Sequence, residues 1–313
     1  MPHDHGHVHL DPARGDRRVA VAIWANGALT VAQLAGGLLS GSLALVADAA
    51  HNLSDMASLV VAFLARKVAR RPADARMTFG YGRIELVAAV VNYTALILIG
   101  LYLIARGGLR LLDPPEVAGA TVLVLGAVAL AVDALTAALT WSMQKGSVNI
   151  RALFLHNLSD ALGSLGVLAG GALILLYGWR WVDPALTIAI AAYILTLSLR
   201  EIGGPVRTLM LGAPEGLAPA RVLAAVEGVP GVAGVHHVHL WQMQEHRAAL
   251  DAHVVLTAEA WPRLEEIKRQ IKAALSAEVG ITHSTLEFEH EARAHRGAAL
   301  YGCADGGEAA RAG

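Results

Sequence analysis

Long apolar runs separated by short polar joints occupy the first two thirds of the chain. A helix needs about 20 mostly apolar residues to cross a bilayer, and six stretches meet this requirement. They cover residues 18–39, 43–65, 84–105, 117–143, 152–177 and 181–203. We therefore predict an α-helical polytopic membrane domain of six transmembrane helices over residues 17–205.

A different pattern begins after Pro205. Two segments have helical spacing, and three segments alternate between apolar and polar positions as strands do. In chain order they are helix 218–227, strand 232–243, strand 248–257, helix 261–278 and strand 281–289. The order αββαβ, in about 85 residues, predicts a small two-layer α+β domain. We place it at residues 206–290.

Composition agrees with a membrane protein. The chain is 55% hydrophobic and 16% charged, whereas soluble domains carry about a quarter charged residues. A net charge of −1 gives no indication of nucleic acid as a partner, and the single cysteine, Cys303, excludes an intrachain disulfide. The His-rich residues 1–16 and the Gly/Ala-rich residues 291–313 are predicted to be disordered tails, without a cleaved signal peptide.

Basic residues are distributed unevenly between the joints. If the N-terminus lies inside, the inner segments hold most of the lysines and arginines, including the run from Arg66 to Arg83. The outer segments then hold only Arg106, Arg110 and Arg180. Basic residues concentrate on the cytoplasmic side of membrane proteins. The prediction is a multi-pass protein of the cell inner membrane, with both termini and the α+β domain in the cytoplasm.

The pentapeptide His-Asn-Leu-Ser-Asp occurs twice, each time inside an apolar run. One copy runs from His51 to Asp55 and the other from His156 to Asp160. Residues i and i+4 share a helix face, so each copy presents one imidazole and one carboxylate to the same side. Two such faces together supply four ligands, a set suited to tetrahedral zinc. Imidazole also accepts cobalt, nickel and copper, so ligand type alone does not fix the metal.

Ionisable groups inside a bilayer are costly, and a bound dication would offset that cost. Metal binding requires ionised carboxylates and neutral histidines, so metal and protons compete for the same groups. This competition predicts metal/proton exchange. The alternative is that each His–Asp pair is a structural hydrogen bond between helices. Asp48, one turn before His51, is either an accessory ligand or proton relay, or a packing group.

These motifs resemble those of the cation diffusion facilitator family over residues 17–290. The resemblance rests on the pentapeptides, on Ser42-Leu43-Ala44-Leu45, on Phe79-Gly80-Tyr81-Gly82-Arg83 and on Val235-His236-His237-Val238-His239-Leu240-Trp241. It implies a homodimeric divalent-metal/proton antiporter with six spans and a cytoplasmic ferredoxin-like domain. His51, Asp55, His156 and Asp160 match its transport site. A histidine at position 51 implies a preference for zinc, with cadmium, cobalt and nickel as further substrates.

The same resemblance implies a regulatory metal site in the cytoplasmic domain. His236, His253 and Glu289 match its ligands, and His283 matches a position that binds metal in some relatives. Metal bound there would tighten the dimer of cytoplasmic domains. The alternative interpretation, that a histidine of this region is a fold-defining residue, is preferred for His239.

Two further stretches bear on metal binding. Some bacterial relatives build a loop site from one aspartate and two histidines, and the matching positions here are Asp74, Met77 and Tyr81. This site is therefore predicted to be absent. The N-terminal run His3-Asp4-His5-Gly6-His7-Val8-His9 is either a weak metal-capturing tract or a solvated tail without a role.

Three other function classes fit the motifs less well. An intramembrane zinc hydrolase would need a general-base glutamate, as in His-Glu-x-x-His, and an open coordination position; the sequence has no such motif. A metal sensor or chaperone would leave the duplicated intramembrane pentapeptide unexplained. An ATP-driven pump would need a phosphate-binding loop, which the sequence also lacks. We therefore predict a secondary transporter and not an enzyme.

Overall fold

The structure, a computed structural model, describes residues 27–141, 148–244, 247–294 and 299–302. The chain divides into two compact units. The first combines Met1–Leu64 with Val91–Ile202, and the second combines Ala65–Val90 with Gly203–Gly313. The predicted His-rich tail, residues 1–16, lies outside the described residues.

Long helices form the first unit. In chain order they are α1 Gly27–Ser40, α2 Leu43–Ala69, α3 Ile84–Leu112, α4 Gly119–Trp141, α5 Val148–Tyr177 and α6 Val182–Glu201. Within the described part of the chain, four segments are long and apolar enough to cross a membrane: Ile84–Leu112, Gly119–Ala138, Phe154–Tyr177 and Val182–Leu209. The described part of the first predicted span, residues 27–39, lies in α1, and the second predicted span, 43–65, lies in α2. Polar residues such as Asp48 and Asp55 make α2 less apolar. The fold is the predicted helical transmembrane domain.

Helices α4 and α5 pack backbone against backbone. A Cβ added at Gly171 would lie 2.6 Å from the backbone nitrogen of Leu123, and one added at Gly126 would lie 2.9 Å from that of Leu168. Small residues permit such close approach between membrane helices. Large apolar side chains instead face outward, with Phe63 69% exposed. This distribution is expected of a bundle that is surrounded by lipid.

The second unit contains a three-stranded sheet covered by helices. Its elements are α7 Gly203–Leu209, α8 Pro219–Glu227, β1 Val232–Gln244, β2 Arg247–Leu256, a 3₁₀ turn Trp261–Arg263, α9 Leu264–Val279 and β3 His283–His290. The strand order is β1-β2-β3, with β1 antiparallel and β3 parallel to β2. Helices α8 and α9 bury one apolar face each, through residues such as Val222 and Ile271, against Val254. The predicted order αββαβ is confirmed.

Strand β1 contains a bulge that the sequence pattern did not predict. The pairing of β1 with β2 shifts between His236 and His239, and His237 has a φ of 51°. Regular alternation would place His237 and His239 on one face and His236 on the other. The rings of His237 and His239 do lie 4.9 Å apart. His236 is not separated from them as alternation predicts, because the rings of His236 and His237 lie 5.2 and 4.5 Å from the ring of His253.

Residues 299–302, within the segment 291–313 that is predicted to be a disordered tail, contact the edge of β1. His237 and Val238 of β1 donate backbone hydrogen bonds to Ala299 and Leu300, and Tyr301 forms a parallel bridge with Val238. Such pairing uses the unpaired backbone groups at the edge of β1. It does not require apolar residues in the segment that pairs with this edge. Composition therefore gave no indication of it.

Candidate metal centres

The two pentapeptides bring four ligand-type side chains together between α2 and α5. Within each helix the i,i+4 spacing places histidine beside aspartate, with Nε2 to carboxylate distances of 3.8 Å for His51–Asp55 and 3.5 Å for His156–Asp160. Across the helices, His51 Nε2 lies 3.4 Å from Asp160 Oδ1, and His156 Nε2 lies 3.4 Å from Asp55 Oδ2. Each imidazole therefore faces both carboxylates.

These separations suit a tetrahedral dication. Ligand atoms about 2.0–2.1 Å from a tetrahedral zinc lie about 3.3–3.4 Å from one another, close to the observed 3.4 Å across the helices. The ligand atoms of His51, Asp55 and Asp160 all lie within 4.8 Å of one another. Among the described residues, Asp160 Oδ1 is buried and its polar contact is the 3.4 Å approach of His51 Nε2. The residues present thus fit a divalent metal ion.

The cluster is more accessible on one side than on the other. The side chains of His51 and Asp160 are 12% and 13% exposed, whereas those of Asp55 and His156 are 33% and 41% exposed. The two cross-helix pairs therefore differ, one being buried and the other partly open.

Polar residues around the cluster connect the helices. Gln33 of α1 donates its amide to Asp48 Oδ2 at 2.5 Å, and Asn52 donates to Gln33 Oε1 at 3.3 Å. Ser54 donates to Asn92 of α3 at 3.2 Å. The asparagine and serine of the first pentapeptide are therefore helix–helix contacts. Sequence reasoning missed Gln33 and Asn92, and a lone amide inside an apolar run was the signal that could have found them.

In the second pentapeptide the serine bonds within its own helix, because Ser159 Oγ donates to the carbonyl oxygen of Leu155 at 3.0 Å. Elsewhere in α5, Ser164 donates to Asp133 Oδ2 of α4 at 2.7 Å. Asp133 is buried beside α5 and is satisfied by that hydroxyl. These serines thus have packing partners and do not enter the ligand cluster.

A second cluster lies on the sheet of the other unit. His236 stands opposite His253 in the β1–β2 pairing, and Glu289 of β3 completes the group. Glu289 Oε1 lies 2.8 Å from His253 Nδ1 and 3.3 Å from His236 Nε2. The three ligand atoms lie within 4.8 Å of one another, and Glu289 is 9% exposed. Imidazole nitrogens and carboxylate oxygens are ligands that zinc commonly binds in proteins.

His283 lies apart from this cluster within the chain. It is the first residue of β3, pairs with Ala249 in register, and has its ring 6.4 Å from that of Phe79. Glu287, which sequence reasoning missed, pairs with His253 instead, and its carboxylate lies 3.4 Å from His253 Nε2. Its spacing of two from Glu289 along a strand was the available signal.

His237 adds a third imidazole beside the second cluster. Desolvation, and after it the neighbouring His253 and His239, hold the pKa of His237 below its ordinary value. An ordinary histidine has a pKa of about 6.5, so His237 is mainly neutral at neutral pH. A neutral ring places no additional positive charge next to His236 and His253.

The loop between α2 and α3 is closed by hydrogen bonds to Asp74. Its Oδ1 accepts the backbone N–H groups of Arg76 and Met77 at 2.8 and 2.9 Å, and the Tyr81 hydroxyl donates to Oδ2 at 2.7 Å. The bond from Tyr81, followed by the two backbone bonds, lowers the pKa of Asp74. The same bond to Asp74 raises the pKa of Tyr81. Both oxygens of this carboxylate are therefore occupied within the loop.

Both parts of the chain match families of known proteins. Residues 19–210 match the cation efflux transmembrane domain, and residues 214–291 match the cation efflux protein cytoplasmic domain. The chain is 34% identical over 284 residues to the metal cation efflux system protein CzcD of Cupriavidus metallidurans, covering 91% of this chain and 90% of the relative.

Two other relatives have a similar extent. The cadmium, cobalt and zinc/H(+)-K(+) antiporter of Bacillus subtilis is 36% identical over 301 residues, covering 94% of this chain and 95% of the relative. The zinc transporter ZitB of Escherichia coli is 33% identical over 299 residues, covering 93% of each. A solved metal-bound C-terminal domain of CzcD from Cupriavidus metallidurans is 32% identical, covering 23% of this chain and 99% of that one, with a TM-score of 0.22.

Proposed function

Because the chain belongs to the cation efflux, or cation diffusion facilitator, family, we propose that it exports Zn²⁺ from the cytoplasm in exchange for protons. The relatives are named as efflux proteins, transporters and antiporters, so this is a transport family and not an enzyme family. The chain is a multi-pass membrane protein of that family. The observation that carries the proposal is the convergence of His51, Asp55, His156 and Asp160 between two membrane helices.

Zinc is proposed as the main cargo because two imidazoles and two carboxylates at these separations form a tetrahedral set. Imidazole also binds other divalent transition metals, so cadmium, cobalt and nickel are proposed as further substrates. The name of the Bacillus subtilis relative includes cadmium and cobalt beside zinc. The geometry and number of the ligands would then decide which metals are transported best, because the intrinsic affinity of ligand atoms for divalent metals does not by itself give selectivity.

Protons are proposed as the counter-ions because the ligand groups bind either metal or protons. The two aspartates must be ionised and the two histidines neutral for zinc to bind. When zinc leaves towards the outside, protons can occupy the same groups and return with them to the cytoplasm. Alternating exposure of the cluster to the two sides would couple the opposite flows, and the graded accessibility of the four side chains is consistent with it.

We further propose the topology that the distribution of basic residues predicts. Both termini and the sheet domain lie in the cytoplasm, and the protein resides in the inner membrane as a homodimer. The proposed organisation is a tail at 1–16, the membrane domain at 17–205, the cytoplasmic domain at 206–290 and a tail at 291–313. In the cytoplasmic domain, His236, His253 and Glu289 would hold a regulatory divalent ion that favours the dimer. His283, which lies apart from them within the chain, is proposed as a separate candidate ligand.

The test is zinc flux in sealed proteoliposomes that contain the full chain. With an acidic lumen, zinc uptake is expected to exceed uptake at equal pH and to stop when an ionophore collapses the proton gradient. Empty liposomes correct for leak. Zinc uptake that ignores an imposed pH gradient would contradict antiport, and uptake indistinguishable from that of empty liposomes would contradict zinc transport itself.

A further inference from the structure

The segment Ala299–Gly302 pairs with the outer edge of β1 through an isolated bridge and backbone hydrogen bonds. His237 donates its backbone N–H to Ala299 O at 3.1 Å, and Val238 donates to Leu300 O at 2.9 Å. Gly302 donates in return to Val238 O at 3.5 Å. The bridge between Val238 and Tyr301 is parallel. This is strand addition to a sheet edge, in which main-chain hydrogen bonds provide the affinity.

The segment attaches at the bulge of β1. His237 has a φ of 51°, a conformation that residues other than glycine seldom adopt. Such a conformation persists where the surroundings hold it in place. The backbone N–H groups of His237 and Val238 point away from β2 at this place, and the added segment accepts both. Val238 is 3% exposed, so its N–H group needs a protein partner.

The bulge in turn positions the histidines of the second cluster. His236, at the start of the irregular stretch, lies opposite His253, and the ring of His237 lies 4.5 Å from that of His253. The backbone atoms that the added segment binds are therefore one and two residues from His236. A change in the bulge would move His236 relative to His253 and Glu289.

The segment also closes one wall of a cavity of about 740 Å³. Tyr301 and Gly302 line it together with Phe79, Arg83 and Trp241. Arg83 Nε donates to Met243 O at the end of β1, at 3.3 Å. Both ends of the irregular half of β1 are thus fixed, one by the segment and the other by Arg83.

Residues 299–302 lie beyond the part of the chain that matches the family's cytoplasmic domain, residues 214–291. We propose that Ala299–Gly302 is a detachable strand that holds β1 in the conformation in which His236, His253 and Glu289 converge. Docking of the strand and binding of a divalent cation at this cluster then strengthen each other, because coupling between two sites is reciprocal. The inference rests on the cytoplasmic metal site of the proposed function.

Three chains that differ in where their C-terminus ends test this coupling in detergent. One is the intact chain, one ends at Gly302 and keeps the strand, and one ends at Arg293 and lacks it. All carry Asp55→Ala and Asp160→Ala, and the zinc binding that a further His236→Ala removes from each chain reports the cytoplasmic cluster. A fourth variant, Gly302→Pro, keeps the chain length but loses the N–H at a residue whose φ of 76° proline cannot adopt.

Hydrogen exchange without metal reports the strand, and zinc titration calorimetry reports the cluster. In the chain ending at Arg293, the amides of His237 and Val238 are expected to exchange faster, and zinc is expected to bind about fivefold more weakly or worse. Gly302→Pro is expected to shift both readouts in the same direction. The chain ending at Gly302 is expected to match the intact chain.

Two results would overturn the coupling. The first is unchanged zinc affinity in the chain ending at Arg293 although its amides exchange faster. The second is unchanged exchange in that chain, which would mean that the strand does not hold β1. If His236→Ala leaves the zinc titration of the intact chain unchanged, the proposed cytoplasmic site itself fails, and this outcome is distinct from a loss of coupling alone.

Discussion

The carboxylate of Asp183 in α6 accepts the backbone N–H of Leu43, the first residue of α2, at 2.9 Å. It also accepts the N–H of Ala44 at 3.3 Å and the hydroxyl of Ser42. The first N–H groups of a helix have no partner within the helix, and an acidic group near them is favourable. Asp183 therefore fixes the helix that carries the first pentapeptide.

Replacement of Asp183 by alanine is expected to destabilise the membrane domain. Asp183 is 1% exposed, so Asp183→Ala leaves buried N–H groups without an acceptor. Loss of hydrogen bonds to a charged group, with buried donors left unpaired, costs about 2–3 kcal/mol. The measurement is the midpoint of thermal unfolding in detergent, which should fall clearly below that of the unaltered protein.

Glu116→Ala is the matched control, because Glu116 also forms a close carboxylate contact but lies at the surface. Its ion pair with Arg180 has side chains that are 81% and 51% exposed. Exposed ion pairs contribute at most about 1 kcal/mol. Equal losses for Asp183→Ala and Glu116→Ala would mean that burial of the Asp183 carboxylate has no special effect.

The contact between Asp183 and Leu43 could not be predicted from the sequence, whereas the metal cluster could. The pentapeptides could be predicted to form one cluster, because their i,i+4 spacing sets the face of each helix and their repetition suggests that the faces meet. Asp183 and Leu43 are 140 positions apart, and no periodicity relates them. Only the packing of α6 against the start of α2 brings them together.

The cytoplasmic sheet illustrates the same limit on a smaller scale. Element order and approximate boundaries could be predicted from alternation and from turn residues such as Gly280, which ends α9 with a φ of 71°. The bulge at His237 could not, because a bulge changes the pairing by one residue without a change in hydropathy. For that reason regular alternation did not predict that His236 and His237 both lie beside His253.

Removal of one carboxylate from the intramembrane cluster is expected to abolish most zinc transport. Asp55→Ala removes one oxygen ligand from the α2 side of the cluster. Asp160→Ala removes one from the α5 side. Changes outside the ligand set of metal sites already cost about 10- to 100-fold, so a lost ligand should lower zinc uptake at least about tenfold. The measurement is the initial rate of zinc uptake into proteoliposomes.

Ser159→Ala serves as the control for this prediction. Ser159 belongs to the same pentapeptide as Asp160, but its hydroxyl donates to Leu155 O of its own helix. The substitution removes a polar group of the repeat without removing a ligand, so zinc uptake should stay near that of the unaltered chain. Full uptake by Asp55→Ala or Asp160→Ala would refute the assignment of the cluster.

The residue at position 51 is expected to affect the choice of metal. His51→Asp changes the cluster from two nitrogen and two oxygen ligands to one nitrogen and three oxygen ligands. Carboxylate-rich sites suit manganese better than imidazole-containing ones do. The ratio of zinc to manganese uptake, measured with both ions under one proton gradient, should therefore fall several-fold. His51→Ala is the control for a general loss of transport, because it should lower the uptake of every metal. An unchanged ratio of zinc to manganese uptake in His51→Asp would show that position 51 does not select the metal.

The hydrogen bond between Asp74 and Tyr81 is expected to have a defined pH window. The lowered pKa of Asp74 keeps the carboxylate ionised down to acidic pH, and the raised pKa of Tyr81 keeps its proton up to alkaline pH. The bond therefore exists between these two pKa values. It is lost as pH falls through the pKa of Asp74, and it is lost as pH rises through the pKa of Tyr81.

The alkaline limit of this window can be measured by tyrosinate absorbance. The chain has 6 tyrosines, so the titration of Tyr81 is obtained as the difference between the unaltered chain and Tyr81→Phe. In Asp74→Asn, paired with the double variant Asp74→Asn/Tyr81→Phe, the neutral amide no longer favours the protonated phenol, and the pKa of Tyr81 should fall towards the ordinary value of about 10. If both differences gave the same titration curve, the carboxylate of Asp74 would not be the group that raises the pKa of Tyr81, and the loop would owe its closure to the backbone bonds of Arg76 and Met77.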